Sequence, residues 1–356
     1  MKLLAALVLA SAPSRAASVS DEVSANRVAA TANNPRSGSI SDSLKATFDA
    51  GEDWSILAGV LITLEQSTPA PAGAAFGDRG GMVTTFSAGG EYHPGDHWAF
   101  GALGDFSPKS TQRFGTQLNI TTTTGDRVAD ALLRATSSSA DLQLSAAYES
   151  AGDSDVEWSV TGSITLTHLD TDQRITALQD ANGNVVTTAA ILKYCQTHVC
   201  SKALLQVIGP MPEATLDSGR LSVGGTLTFL QDMDVTLNAD YYGYKQDPTQ
   251  IGYFSLGTTG RTEIAGGAGV PIAPLRWVVE PEVTGRIGDF SARLWVRAGR
   301  YVTGAGETTR GTGLRLQYKL TKALKMWASA SWQMDVDSEN NLSISRTFSG
   351  GVGYKF

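Results

Sequence analysis

The 356-residue chain carries 28 basic and 35 acidic residues, a net charge of −7, with 42% hydrophobic and only 18% charged residues. An acidic balance of this kind excludes a general nucleic-acid or anionic-surface binder. The 38 glycines and the heavy use of Ser and Thr fit a β-rich chain, whereas a helical one would carry more Ala, Leu, Glu and Lys.

The opening stretch "MKLLAALVLASAPSRAASVS" places Lys2 before an apolar run from Leu3 to Ala12 and a small-x-small site at Ser14-Arg15-Ala16. That is the layout of a cleavable export signal, expected over residues 1–16. No cysteine follows the cleavage site, which argues against a lipid anchor. Losing Lys2 and Arg15 leaves 26 basic against 35 acidic residues, a net −9 for the mature chain. Beyond the signal, no stretch reaches the roughly 20 apolar residues of a membrane helix. An exported chain of this kind is periplasmic, secreted or a barrel.

The recurrent element is a segment of about ten residues with strict alternation, the pattern of a strand with one apolar and one polar face. A weak opening strand is expected between Glu22 and Asn33, and a second weak one at "SLKATFDA". "WSILAGVLITL" then puts Trp54, Ile56, Ala58, Val60, Ile62 and Leu64 on one face. "GMVTTFSAGGEY", "HWAFGALGDF" and "DLQLSAAYES" follow. "VEWSVTGSITLTH" sets Val156, Trp158, Val160, Gly162, Ile164 and Leu166 against Glu157, Ser159, Thr161, Ser163, Thr165 and Thr167. Further strands fit "RLSVGGTLTFL", "DVTLNADYYGY", "RWVVEPEVTGRI", "FSARLWVRAGRY", "GLRLQYKL", "LKMWASASWQM" and "ISRTFSGGVGYKF". Many begin or end on an aromatic residue, as interface girdles do.

Connections alternate in length. "HPGD", "SAGDSD", "LQDMD", "RIGD" and "LTKAL" are short, while residues 66–80, 107–136, 169–217 and 246–260 read as long loops. Short periplasmic turns with longer extracellular loops are the transmembrane-barrel arrangement. The expected fold is an all-β, antiparallel up-and-down transmembrane barrel of about 14 strands, or 16 if residues 250–273 hide two more. Residues 17–40 read as an N-terminal segment holding the first strand, and 41–356 as the barrel with a long extracellular loop at 169–217.

The ending carries a resemblance. Phe348, Val352, Tyr354 and Phe356, with Gly350 between, recur at every second position up to the last residue. This resembles the C-terminal signal of bacterial outer-membrane β-barrel proteins, whose last strand ends in Phe with an aromatic two residues earlier. Gly350 departs from it, since a bulkier apolar residue is more usual there. The resemblance implies outer-membrane localisation in a Gram-negative cell and recognition by the barrel-assembly machinery. Outer-membrane lipids would be further partners.

With Val283, Gly285, Leu294, Val296 and Ala298 turned to lipid, Glu280, Glu282, Arg286, Arg293 and Arg297 turn inward. Arg315 and Lys319 share that face on the next strand. Around the "RIGD" turn, position 280 falls opposite 297 and 284 opposite 293. Two readings stand: a salt-bridge ladder, or a basic stripe facing the acidic Asp141, Glu149, Glu157 and Asp240 across a pore, setting its ion preference.

Cys195 and Cys200 in "CQTHVC" are expected to form a local disulfide bracing the longest loop. A metal site would need more ligands than His198 alone offers nearby. His93, His97, His168 and His198 lie in no catalytic motif. No catalytic residue, metal ligand or cofactor site is expected, and no nucleic-acid partner. The function expected is passive passage of solutes through the barrel. The alternatives are an exit port for polysaccharide export, with a periplasmic export component as partner, and a surface-binding or structural barrel with a closed lumen.

Overall fold

The computed structural model describes residues 17–28, 37–67, 80–121, 127–150, 156–180, 184–197, 214–229, 232–246, 248, 275–302, 307–336 and 342–355. Its strands are β1 (Ala17–Val28), β2 (Ser37–Asp49), β3 (Trp54–Ser67), β4 (Gly80–Tyr92), β5 (Trp98–Thr121), β6 (Arg127–Glu149) and β7 (Val156–Asp180), followed by a short β8 (Val185–Thr187). After the helix α1 (Thr188–Cys195), the one helix among the described residues, come β9 (Ala214–Phe229), β10 (Met233–Tyr244), β11 (Leu275–Ile287), β12 (Phe290–Tyr301), β13 (Thr308–Lys319), β14 (Leu324–Val336) and β15 (Leu342–Lys355).

Each strand forms because its alternation gives it two faces with different destinations. On β7, Ile164 and Leu166 are 52% and 55% exposed while Thr165 between them is 8% exposed. That is the inverse of a soluble sheet, with the apolar face outward and the polar face inward. The same parity runs around the wall, where Trp54, Phe100, Leu144, Leu237, Leu294 and Phe348 are all exposed. Such a surface is stable only against an apolar medium.

All neighbours pair antiparallel, β1 to β7 in sequence and then β7 to β9 through β15. The first strand bonds the last, from Ser20↔Lys355 to Val28↔Thr347. The ring therefore closes with fourteen strands and no free edge. The two-residue β11–β12 turn is possible because Gly288 adopts φ +58°, the left-handed conformation that tight hairpins require.

The ladder lines run obliquely. A line from Phe290 at the turn end of β12 passes Tyr318, Met326, Val352, Val23 and Asp42 and reaches Ile62. Ile62 stands eight positions beyond Trp54, the turn-end residue of β3. A constant height thus drops slightly more than one residue per strand, as strand tilt in a closed barrel demands.

Several boundaries differ from the sequence reading. The barrel starts at Ala17, not within 22–33, because sparse apolar residues (Val19, Val23) suffice when β2 and β15 supply bonds on both edges. Residues 107–121 and 127–136, read as loop, continue β5 and β6, and 169–180 and 214–217 belong to β7 and β9. β5, β6 and β7 run to 24, 23 and 25 residues, far more than the roughly ten a membrane span needs. Their upper parts form a hairpin wall above the apolar band. There β8 bonds β7 at Ala177↔Thr187, and the Thr188 hydroxyl donates to the Thr176 carbonyl at 3.3 Å. Residues 1–16 and 250–273 lie outside the described residues.

Candidate functional site: the charged inner wall

The ring sets which strands face each other. Fourteen strands about 4.8 Å apart and tilted about 40° enclose a barrel on the order of 28 Å across. Inward side chains from opposite walls cannot meet over that span. Strands seven places apart are opposed, so β12, β13 and β14 face β4, β5 and β6.

Glu280, Glu282 and Arg286 on β11, Arg293 and Arg297 on β12, and Arg315 and Lys319 on β13 all have the inward parity. So do Asp240 on β10, Glu157 on β7, and Asp141 and Glu149 on β6. Arg293 pairs with Glu282, and its guanidinium lies 3.9 Å from Glu280. Arg286 pairs with Asp234, whose Oδ1 also accepts from the Thr228 hydroxyl at 3.0 Å. The register puts 284 opposite 293, yet both glutamates reach Arg293 rather than Arg297. A long side chain leans diagonally along the wall, so the strict cross-strand rung is not the one occupied.

On the inward face of the described strands, like charges stand directly opposite at three places. Arg293 pairs in register with Arg315, Lys319 with Lys325, and Asp105 with Asp141. Such pairs cost stability unless each charge has another partner. Arg293 has its glutamates, Lys325 has Glu22 at 3.1 Å, and Arg315 stacks 4.1 Å over the Trp327 ring.

Trp295 and Trp327 pave this wall. A Cβ on Gly313 would sit 2.1 Å from the Trp295 ring, and one on Gly351 2.7 Å from the Trp327 ring. Each indole therefore lies flat on its neighbour's bare backbone. Arg293 Cζ is 5.7 Å from the Trp295 centroid. Neither tryptophan is among the lumen-lining residues expected from sequence. The signal for Trp295 was its shared parity with Arg293 and Arg297; the glycine partners needed the register.

The inward residues with least access gather towards the long-connection end. Thr63, Val83, Ser107, Ser139, Leu169, Leu216, Val278 and Thr309 are all 2–8% exposed. Leu169 and Leu216 pack with Tyr244, whose hydroxyl donates to the Leu275 carbonyl at 2.9 Å. Inward positions nearer the turns, such as Leu57, Leu103 and Gln143, are half-exposed. Access along the lumen is therefore tightest at the long-connection end.

No protein-family model matches the sequence, and no curated protein does. Solved structures match over almost the whole chain. CymD, a monoaromatic hydrocarbon channel, aligns at TM-score 0.51 and 10% identity, over 96% of this chain and 88% of its own. A TodX monoaromatic hydrocarbon channel variant aligns at 0.53 and 10%, over 97% and 90%. The Ralstonia pickettii toluene transporter TbuX gives 0.51 and 11%, over 96% and 90%. The fold is that of a bacterial outer-membrane β-barrel. In barrels of this fold the short-turn end, which here holds both termini of the ring, faces the periplasm, and the long-connection end faces outward.

The turn-end rim carries an outward aromatic girdle, with Trp54 stacked on Tyr92 at 4.7 Å and Trp98 edge-on to Tyr148 at 4.9 Å. On β15, Phe348, Val352 and Tyr354 face outward at 51%, 44% and 44% exposure, completing the lipid face at the seam; Phe356 lies outside the described residues. Cys195 at the end of α1 is disulfide-bonded, and Cys200, the other cysteine of the chain, lies outside the described residues, as does His198. His97 Nδ1 is 3.0 Å from the Glu149 carbonyl, and His93 lies 3.5 Å from Glu91, both at the short turns. Among the described residues no group of three or more His, Cys, Asp and Glu side chains could hold a metal ion.

Proposed function

We propose that the protein is a passive outer-membrane channel whose lumen passes small polar or charged solutes between a basic and an acidic wall. The observation that carries this is the opposition of charge across the ring. Arg293, Arg297, Arg315, Lys319 and Lys325 line β12–β14, and Glu91, Asp105, Asp141 and Glu149 line β4–β6. A ladder serving stability alone would alternate sign between neighbours. Here like charges are held opposite each other at 293/315, 319/325 and 105/141, which favours the transverse-field reading.

The names of the structural neighbours, which speak of monoaromatic hydrocarbons and toluene, support a channel. The charged middle of this lumen does not suit a purely apolar solute, whose transfer past desolvated charge gains nothing. Leu169 and Leu216, buried with Tyr244 at the long-connection end, suit the apolar part of an amphipathic one. The exit-port and closed-barrel alternatives are favoured by no observation among the described residues.

Export through a signal peptide over residues 1–16 and recognition of β15 by the assembly machinery belong to the same proposal. The first is supported by the signal layout and by β1 starting at Ala17, the second by the outward Phe348, Val352 and Tyr354. The channel is expected to act without catalysis or cofactor.

Liposome swelling with the refolded protein and a graded series of zwitterionic and neutral solutes tests the proposal. Swelling that falls off with solute size is expected. A folded protein that admits none of them contradicts it.

A further inference from the structure

The outward face of β11–β15 and β1 is largely apolar below its extracellular edge. There it carries Arg300, Arg310, Arg346 and Arg27, interleaved with Trp277 and Trp332. Asp21 is the one acidic residue on the outward face of these six strands, near their periplasmic end. None of the four arginines makes an ion pair among the described residues, and Arg27, Arg310 and Arg346 are exposed.

The four sit at one height. Arg300 lies on the ladder line of Thr308 and Val336, and Arg310 on that of Met334 and Ile344. Arg346 lies on that of Trp332 and Thr312, and Arg27 on that of Phe348 and Ala330. Each line is one outward position below the last. That is a drop of six residues over four strand steps, close to the drop a constant height requires in this barrel. Arg300 stands ten residues above Phe290, which at about 3.3 Å per residue and 40° tilt is about 25 Å, the height of the apolar band. The arginines therefore ring the extracellular interface over about a third of the circumference.

Across the barrel the same level is different. His168, Asp170 and Asp217 stand just above Leu166, with Lys245 held by Asp217 at 3.3 Å. One arc of the extracellular rim thus attracts anionic headgroups and the other does not.

We propose that Arg27, Arg300, Arg310 and Arg346 bind the phosphates of the outer-leaflet lipid, a phosphorylated saccharolipid, and seat the barrel asymmetrically in it. Guanidinium forks match phosphate oxygens in pairs, and four of them along an arc can span a headgroup with two phosphates. Trp277 and Trp332, 38% and 43% exposed, supply the amphipathic surface that rests at headgroup depth. The proposal rests on the outer-membrane orientation and not on conduction.

The test is native mass spectrometry of the full-length protein in detergent with added diphosphorylated lipid A, its dephosphorylated form, or phosphatidylglycerol. Bound diphosphorylated lipid is expected, weakening with salt. The R27Q/R300Q/R310Q/R346Q variant should bind it about tenfold or more weakly, and K245Q, on the opposite arc, as the native chain does. Heat-modifiable migration on gels reports folding, and R310Q alone, with a partial loss, serves if the quadruple variant does not fold. Undiminished binding by the folded variants, or equal binding of the phosphate-free lipid, would overturn the proposal. Equal binding of phosphatidylglycerol would overturn the choice of lipid. None of these readouts depends on whether the lumen conducts.

Discussion

Lys325 Nζ and Glu22 Oε2 lie 3.1 Å apart across the bare backbone of Gly353. The pair links the strand before the last to the first, over the strand that closes the ring. It is possible only because residue 353 has no side chain: a Cβ there would sit 2.6 Å from Lys325 Cε and 3.3 Å from Glu22 Oε2. The ion pair itself is partly exposed, at 43% and 35%, so it contributes no more than about 1 kcal/mol. Gly353→Leu should cost more, about 1–3 kcal/mol, by forcing both charges off the seam. Urea unfolding midpoints of G353L, E22Q and K325M measure this, with G353L expected to be the most destabilised.

Trp295 on Gly313 makes the same kind of contact with an aromatic ring. Gly313→Val has to displace the indole from the wall and with it the Arg293 stack. A loss of about 1–3 kcal/mol is expected, visible as a lower unfolding midpoint. Trp295 fluorescence should shift to the red as the ring swings into the lumen. An unchanged midpoint and spectrum would show that the ring does not rest there.

His168 lies on the outward face twelve residues above Val156, about 30 Å up at the same tilt and beyond the apolar band. Its Nδ1 is 2.7 Å from Asp217 Oδ1, and that bond raises the imidazole above its ordinary 6.5. Hydrogen bonds from Gln246, His168 and Lys245 hold the Asp217 carboxyl well below its ordinary 3.8. A raised histidine stabilises fully below its unfolded value and loses that contribution as pH climbs through the folded one. A depressed carboxylate stabilises above its unfolded value and loses it as pH falls through the folded one. The tops of β7 and β9 should therefore be best tied between pH 3.8 and 6.5. Amide protection at 166–170 and 215–219, taken relative to the intrinsic exchange rate at each pH, should fall above that window, and H168A should remove that fall.

The legibility of this fold tracks where water and lipid differ. "VEWSVTGSITLTH" is readable because lipid on one side and lumen on the other impose opposite chemistry on alternate residues. Above the apolar band both faces meet polar surroundings. Thr136, Ser137, Ser138 and Ser139 therefore show no contrast, and the tall β5–β6–β7 wall read as loop. The inward parity of Glu282, Arg293 and Arg315 follows from single strands. The diagonal reach of Glu280 and Glu282 to Arg293, the ring of Trp327 over Gly351 and the bridge over Gly353 depend on register between strands. Register is set around the whole closed barrel, so no single segment carries it.

The proposed channel has a conducting lumen in which a basic wall faces an acidic one. Its most direct test is the zero-current potential of the refolded protein in planar bilayers under a salt gradient, native chain against R293E/R297E/R315E. Open channels are expected, with the reversed wall moving the permeability ratio towards cations and the glutamine versions falling between. A folded native barrel that carries no current, or a ratio unchanged by reversing the wall, would contradict it.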